Sequence, residues 1–178
     1  MMAHSQQRAF CESVKTKFSG AFTGKRVLEV GSLNINGTCR ELFTDCDYLG
    51  IDVVAGKDVD LVVPAHLHKA ADGGYDTIIS TEALEHDLYW MATLGAIKRM
   101  LRAGGLFVLT CATTGRGEHG TARSKPQDAP GLPWPDHYRN ITEDDVRWVY
   151  APDMSGWKDY EFSIGHETSD LYFYGIKA

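Results

Sequence analysis

Glu82, Glu85 and His86 stand at positions i, i+3 and i+4, so a helix starting there presents two carboxylates and an imidazole on one face. Such a set can hold a divalent ion such as Mg²⁺, and Glu82 can also take a proton from a nucleophile. His119 and His137 lie in a later stretch without periodicity; each is a candidate base, and His119 a further ligand for the same ion. A second pair of acids is spaced differently. Asp52 follows Glu29 by roughly twenty residues, the interval at which a doubly wound fold brings a carboxylate to ribose hydroxyls.

Those acids need strands to hold them. Residues 26–52 read as a buried strand (27–30), a Gly/Asn-rich turn (31–37), a short helix (38–43) and a second strand (48–51) ending on Asp52. Gly31 and Gly37 tolerate positive φ or close ligand approach, and Asn34 and Asn36 are the next residue types to enter the left-handed region. Ser32 and Asn34 therefore join the two glycines as candidates to wrap a cofactor. The spacing predicts further strands at 59–63, buried, and at 75–80 and 106–110, with a short helix over 64–71. The longest helical pattern follows Ser80: Leu84, Leu88, Met91, Leu94, Ile97 and Leu101 form one apolar stripe, stopped by Gly104 and Gly105. Ahead of the first strand, Phe10, Val14 and Phe18 recur every fourth residue and predict an amphipathic helix over 5–18. After the fifth strand, residues 112–140 gather Gly, Pro, His and Arg, as a binding loop or lid does. Thr142 opens a short helix, and 157–164 with 171–176 read as a closing antiparallel hairpin.

Length and composition bound the partners. The 178 residues make one domain: an N-terminal helix (1–24), a cofactor-binding core (25–110), an acceptor-side loop (111–141), and a helix with the closing hairpin (142–178). A net charge of −6 argues against nucleic acid as the main partner. The four cysteines lack paired spacing and read as reduced thiols. No run reaches membrane-spanning length and no signal-peptide core precedes the first helix, so the expected location is the cytoplasm.

Taken together, VLEVGS, the GID that closes the second strand, YDTIISTEALEH and IKRMLRAGGLFVLT resemble a class I S-adenosylmethionine-dependent methyltransferase over residues 25–110, of the type 11-like kind, with a weaker match at the final hairpin. The resemblance implies an α/β Rossmann-like, doubly wound, mostly parallel sheet of order 3-2-1-4-5-7-6, strand 7 antiparallel, with helices on both faces. The dehydrogenase pattern G-x-G-x-x-G is absent, since Ser32, Leu33 and Asn34 follow Gly31. The usual methyltransferase glycines two and four residues after the first are Leu33 and Ile35 here, and the next glycine is Gly37.

By that resemblance Glu29 orders the turn and the methionine amine, Gly31 approaches the methionyl group, and Asp52 accepts from ribose. Ser80 and Thr81 flank the methionine part, Val53 packs on the adenine side, and the backbone at Ala65 and His66 meets adenine. The E-x-x-E-H string resembles that of enzymes holding vicinal hydroxyls with a divalent ion, which makes Glu82, Glu85, His86 and His119 the metal set. The loop contributes Arg116, Tyr138 and Arg139 to the acceptor side, with Trp134 packing it down. The expected function is methyl transfer from S-adenosylmethionine to a hydroxyl or amine of a small molecule. The alternatives are RNA methylation or a non-catalytic cofactor-binding subunit or sensor.

Overall fold

The computed structural model describes residues 5–178. Its strands are β1 (Arg26–Val30), β2 (Asp47–Asp52), β3 (Leu61–Val62), β4 (Tyr75–Thr81), β5 (Leu101–Ala112), β6 (Trp157–Gly165) and β7 (Asp170–Lys177). They form one sheet in the order β3-β2-β1-β4-β5-β7-β6, as expected. The first five strands pair in parallel, and β7 runs antiparallel to both β5 and β6.

Alternation along the central strands divides the core in two. Ile78, Phe107 and Leu109 face the helices α2 (Trp90–Met100) and α3 (Glu143–Tyr150), whereas Ile79, Leu106 and Val108 face α1 (Ser5–Lys17). Both faces are covered, which is why the inner strands read as near-continuous apolar runs. α3 begins as its sequence proposes: Thr142 and Asp145 exchange a capping box, with Glu143 and Asp144 also in the first turn.

Several local expectations fail for identifiable reasons. The third strand is only two residues long and its side chains are exposed, not buried. Asp58 accepts from Asn34 Nδ2 (2.6 Å); the Asp60 amide donates to the Gly50 carbonyl (2.9 Å), but it is the Asp60 side chain that accepts from the Gly50 amide (2.7 Å) and from Arg40, in place of a strand carbonyl. The helix expected over 38–43 is a 3₁₀ turn, Arg40–Leu42. That over 64–71 shrinks to Ala65–Leu67 because His68 turns extended (φ −66°, ψ 120°), and the carbonyls of Ala70 (2.7 Å) and His68 (3.3 Å) accept from Arg99.

The long helix after β4 is split. Glu82 has φ +52°, a left-handed conformation that a helix cannot include, and Leu84–His86 forms only a 3₁₀ turn. Asp87 then accepts from the Tyr89 amide (2.8 Å) and from Thr93 Oγ1 (2.5 Å), starting α2 afresh at Trp90. Leu88 and Met91 consequently fall on the exposed side, and the buried stripe is Trp90, Leu94, Ile97 and Met100. α1 is likewise rotated from the expected face. Its buried residues are Gln7, Cys11 and Val14, while Phe10 and Phe18 rest partly exposed on Tyr172 and Tyr174.

Candidate active site

A cleft opens at the carboxyl ends of β1, β2 and β4, beside the point between β1 and β4 where the strand order reverses. Its first wall is the turn after β1. Gly31 has φ +80°, and a Cβ there would lie 2.2 Å from the Cβ of Ala83, so only glycine lets the two strand ends approach. The Gly31 and Ser32 amides both donate to the Ile51 carbonyl (2.9 and 3.1 Å), and Asn34 Oδ1 accepts from the Gly37 amide (2.9 Å). Asn34 thus braces the turn and is not on the cleft wall, whereas Gly31, Ser32 and Gly37 are. Leu33 and Ile35, standing where the commoner pattern has glycine, make that wall apolar.

Glu29 and Asp52 reach the cleft together. Asp52 accepts from the Leu33 amide (3.1 Å) through one oxygen and from the Val54 amide (3.0 Å) through the other, so it ties the turn to the end of β2. Burial raises its pKa against those amides, which lower it. Burial also pushes Glu29 up to about 7, opposed by the neighbouring Tyr48 hydroxyl and the Arg40 guanidinium. Glu29 Oε2 and Ser32 Oγ are buried without a hydrogen-bond partner. Buried polar atoms of that kind call for an explanation, and a ligand is one.

Val53, Ala65 and Thr81 also line the cleft. His66 and Ser80 do not. The His66 ring packs on Tyr89 (4.6 Å between centroids), and Ser80 Oγ donates to the Val30 carbonyl (3.0 Å) from a fully buried position behind the wall.

The far end of the cleft carries Glu82, His86, Arg116 and His119. Glu82 lies against β5: its amide donates to the Thr110 carbonyl (2.9 Å), and its Oε1 accepts from Thr110 Oγ1 (2.9 Å). Burial and the nearby Glu85 hold its pKa well above the usual carboxylate range. Glu85 is fully buried, accepts from the Ala112 amide (3.2 Å), and is pushed up to about 7 chiefly by burial. Burial drives His86 down to about 3 and lowers His119 as well. Both imidazoles are therefore neutral near pH 7. One ligand atom from each of Glu85, His86 and His119 lies within 4.8 Å of the others. Glu82, expected in the same set, is not brought to it, because its left-handed backbone removes the helical register.

Within the loop over 113–142, Arg116, His119, Asp128, Ala129, Pro130, Leu132 and Trp134 line this end of the cleft. Trp134 Nε1 donates to the His86 carbonyl, and Asp128, Pro130 and Leu132 add to the wall. Arg116 donates to the Thr168 carbonyl (2.7 Å) and sits 3.6 Å from the buried Asp170. Three loop residues are placed elsewhere. His137 and Tyr138 lie off the cleft wall, although the Tyr138 ring packs on His119 and His86 (5.0 and 5.6 Å). Arg139 lies over the Trp90 ring and pairs with Asp145 (2.7 Å), which makes it a brace for α3.

Gln7 was not foreseen. It is buried, lines the cleft and leaves its Oε1 without a partner. The available signal was a polar residue four positions before Cys11 on what becomes the buried stripe of α1.

Comparisons with known proteins fit this geometry. No curated protein matches the chain. Among solved structures, it resembles the *Burkholderia thailandensis* 1,6-didemethyltoxoflavin-N1-methyltransferase holding 1,6-didemethyltoxoflavin and S-adenosylhomocysteine, at TM-score 0.65 and 13% identity, covering 96% of this chain and 77% of that one. An *Aquifex aeolicus* SAM-dependent methyltransferase aligns at TM-score 0.62 and 14% identity, over 94% and 89%. A *Haemonchus contortus* phosphoethanolamine N-methyltransferase, in complex with phosphomonomethylethanolamine and S-adenosylhomocysteine, aligns at TM-score 0.65 and 14% identity, covering 94% of this chain. This chain spans about half of that protein, 52%. The family described as a methyltransferase domain matches residues 2–150. With the strand order, the antiparallel β7 and the switch-point cleft, that match settles the assignment: the chain belongs to the methyltransferase-domain family of class I, S-adenosylmethionine-dependent enzymes.

Proposed function

We propose that the protein transfers a methyl group from S-adenosylmethionine to a hydroxyl or amine of a small-molecule acceptor. The observation that carries this reading is the placement of Glu29, buried, and Asp52, partly buried, two carboxylates facing one switch-point cleft whose opposite end is lined by the 113–142 loop. Glu29 offers its unpartnered oxygen to the methionine ammonium, and Asp52 offers free lone pairs to ribose. S-adenosylmethionine supplies the methyl as a sulfonium, from which the acceptor's lone pair displaces S-adenosylhomocysteine. Alignment and exclusion of water are what the protein adds, and Leu33, Ile35, Leu132 and Trp134 give the cleft the apolar surface to exclude it. A proton leaving the acceptor has Glu82 and His119 in reach at the closed end, while His137 stands off the wall.

A small acceptor suits a cleft walled by its own loop, and a net charge of −6 supports it over nucleic acid. The *B. thailandensis* and *H. contortus* structures hold small acceptors in the same fold, which supports the same class here. A divalent ion beside the acceptor belongs to this reading, supported by the Glu85, His86 and His119 donors. So does a cytoplasmic location, supported by the cysteine spacing; no described helix is long and apolar enough to cross a membrane.

S-adenosylhomocysteine should raise the unfolding temperature and NAD should not. Asp52→Ala removes a charged acceptor and two loop anchors, so affinity should fall roughly ten- to a hundredfold. Calorimetry on both proteins checks this. No binding by the wild type, or undiminished binding by the variant, would overturn the assignment of the cleft.

A further inference from the structure

We infer that Gln7 binds the cofactor: its side-chain amide clasps the amino-carboxylate end of S-adenosylmethionine, Oε1 accepting from the ammonium and Nε2 donating to the carboxylate. The inference rests on the cofactor reading above and adds to it a residue from the N-terminal helix.

A buried glutamine destabilises a fold unless its amide is paired. Gln7 opens the stripe Gln7, Cys11 and Val14 that α1 turns to the sheet, and it is 2% exposed. Its Oε1 is buried with no hydrogen-bond partner, and the residue lines the cleft. A methionine, of similar length and unbranched, would fill the same place without leaving a polar atom unpaired. The amide therefore answers to something that enters the cleft.

α1 holds that amide in place. One turn beyond Gln7, Cys11 Sγ lies 3.8 Å from the Sγ of Cys39, which follows closely on the turn after β1. Phe10 stacks on Tyr172 of β7 (4.8 Å between centroids), and Lys15 donates to the Leu42 carbonyl. The helix is thus docked on both the turn and the returning strand, so Gln7 is set against the cleft before a ligand arrives.

Position selects the part of the ligand. Glu29 alternates with Leu28 and Val30, which belong to the core under α2 and α3, so its carboxylate leaves the sheet on the face that α1 covers. Gln7 and Glu29 therefore reach the cleft from the same side. The methionine end carries an ammonium, which needs acceptors, and a carboxylate, which needs donors. Glu29 Oε2 and Gln7 Oε1 are unpartnered acceptors. Donors are scarcer, because the amides of Gly31, Ser32, Leu33, Asn34 and Gly37 are taken up by the Ile51 and Lys57 carbonyls and by the Asp52 and Asn34 side chains. Ser32 Oγ, buried without a partner, supplies one donor. A side-chain amide joins an acceptor to two donors, which suits a zwitterion, and Gln7 brings one to this place.

The test titrates the full chain calorimetrically with S-adenosylhomocysteine and with 5′-methylthioadenosine, which keeps the adenosine and the thioether but lacks the amino acid. Gln7→Met removes the amide at nearly constant shape; Gln7→Glu keeps an acceptor and loses the donors. Each variant should bind S-adenosylhomocysteine at least about tenfold more weakly than the wild type and 5′-methylthioadenosine within about twofold of it. Unliganded Gln7→Met should unfold no lower than the wild type, since it removes an unpaired buried amide. Unchanged affinity for S-adenosylhomocysteine in either folded variant would overturn the clasp, as would equal losses for the two ligands, which mark a residue that only shapes the cleft. An unliganded Gln7→Met protein less stable than the wild type would also overturn it, by showing the amide to be paired within the fold. A wild type that binds neither ligand would instead remove the cofactor reading, whereas a wild type that binds S-adenosylhomocysteine with indifference to Gln7 removes this residue alone.

Discussion

Glu29 sits at the one place where burial and function pull a single proton in opposite directions. Its folded pKa of about 7 lies above the ordinary carboxylate value, so the folded protein keeps a proton that the unfolded chain releases. The contribution to stability is therefore whole below about pH 4.5 and is lost as pH rises through 7, to the extent of roughly 3 kcal/mol. A bound methionine ammonium reverses the preference by favouring the carboxylate. Affinity for S-adenosylmethionine should then climb by up to about tenfold per pH unit between pH 5 and 7 and flatten above it. Glu85, also near 7, shares the stability trend but stands away from the expected ammonium, so Glu29→Gln separates the two. Calorimetric titrations at several pH values should show the slope in the wild type and its loss in Glu29→Gln. An equal slope in both proteins would place the titrating group elsewhere.

At the scale of elements, what the sequence makes legible follows burial. β1, β4, β5 and the β6–β7 hairpin are readable because each inner strand is covered on both faces or closes the sheet, and their apolar runs have no competing use. Side chains that bond to backbone defeat the pattern elsewhere. Asp60 takes the Gly50 amide and cuts β3 short, and Asp87 restarts α2, moving Leu88 and Met91 to the surface. Local periodicity registers neither bond, since each depends on which group is left unpaired nearby. The same limit applies to the site. Gly31, Glu29 and Asp52 can be picked out from spacing on two neighbouring strands, and resemblance groups His119 with Glu85 and His86, but that Glu82 falls outside their group follows only from its left-handed backbone. Trp134 holds the path of the loop through its bond to the His86 carbonyl and an edge contact with Tyr89 at 5.6 Å. Trp134→Ala should speed proteolytic cleavage within 113–142 and weaken S-adenosylhomocysteine severalfold, by roughly 1 kcal/mol for the lost hydrogen bond. Unchanged cleavage together with unchanged affinity would mean that the loop is held by its other contacts.

For the molecule as a whole, the last strand in sequence occupies an inner position in the sheet. β7 lies between β5 and β6 and pairs with β5 along 106–112, so the second half of the core is complete only once the chain returns. Trp157, Leu171 and Phe173 join the cluster under α2 and α3, and Tyr174 joins the one under α1. Losing one such aromatic costs about 3–5 kcal/mol, against a net stability of about 5–15 kcal/mol for a typical domain. A chain ending at residue 156 loses all four and leaves β5 with an unpaired apolar edge, a template for association with other chains. It also loses Thr168 and Asp170, the partners that hold Arg116 at the closed end of the cleft. Expressed alone, residues 1–156 should therefore aggregate and show no stabilisation by S-adenosylhomocysteine, although every expected cofactor contact is still encoded. Size-exclusion chromatography with thermal unfolding decides it: a monodisperse, ligand-stabilised product would show that the five parallel strands and α1 fold without the hairpin, and that the cleft does not depend on the returning strand.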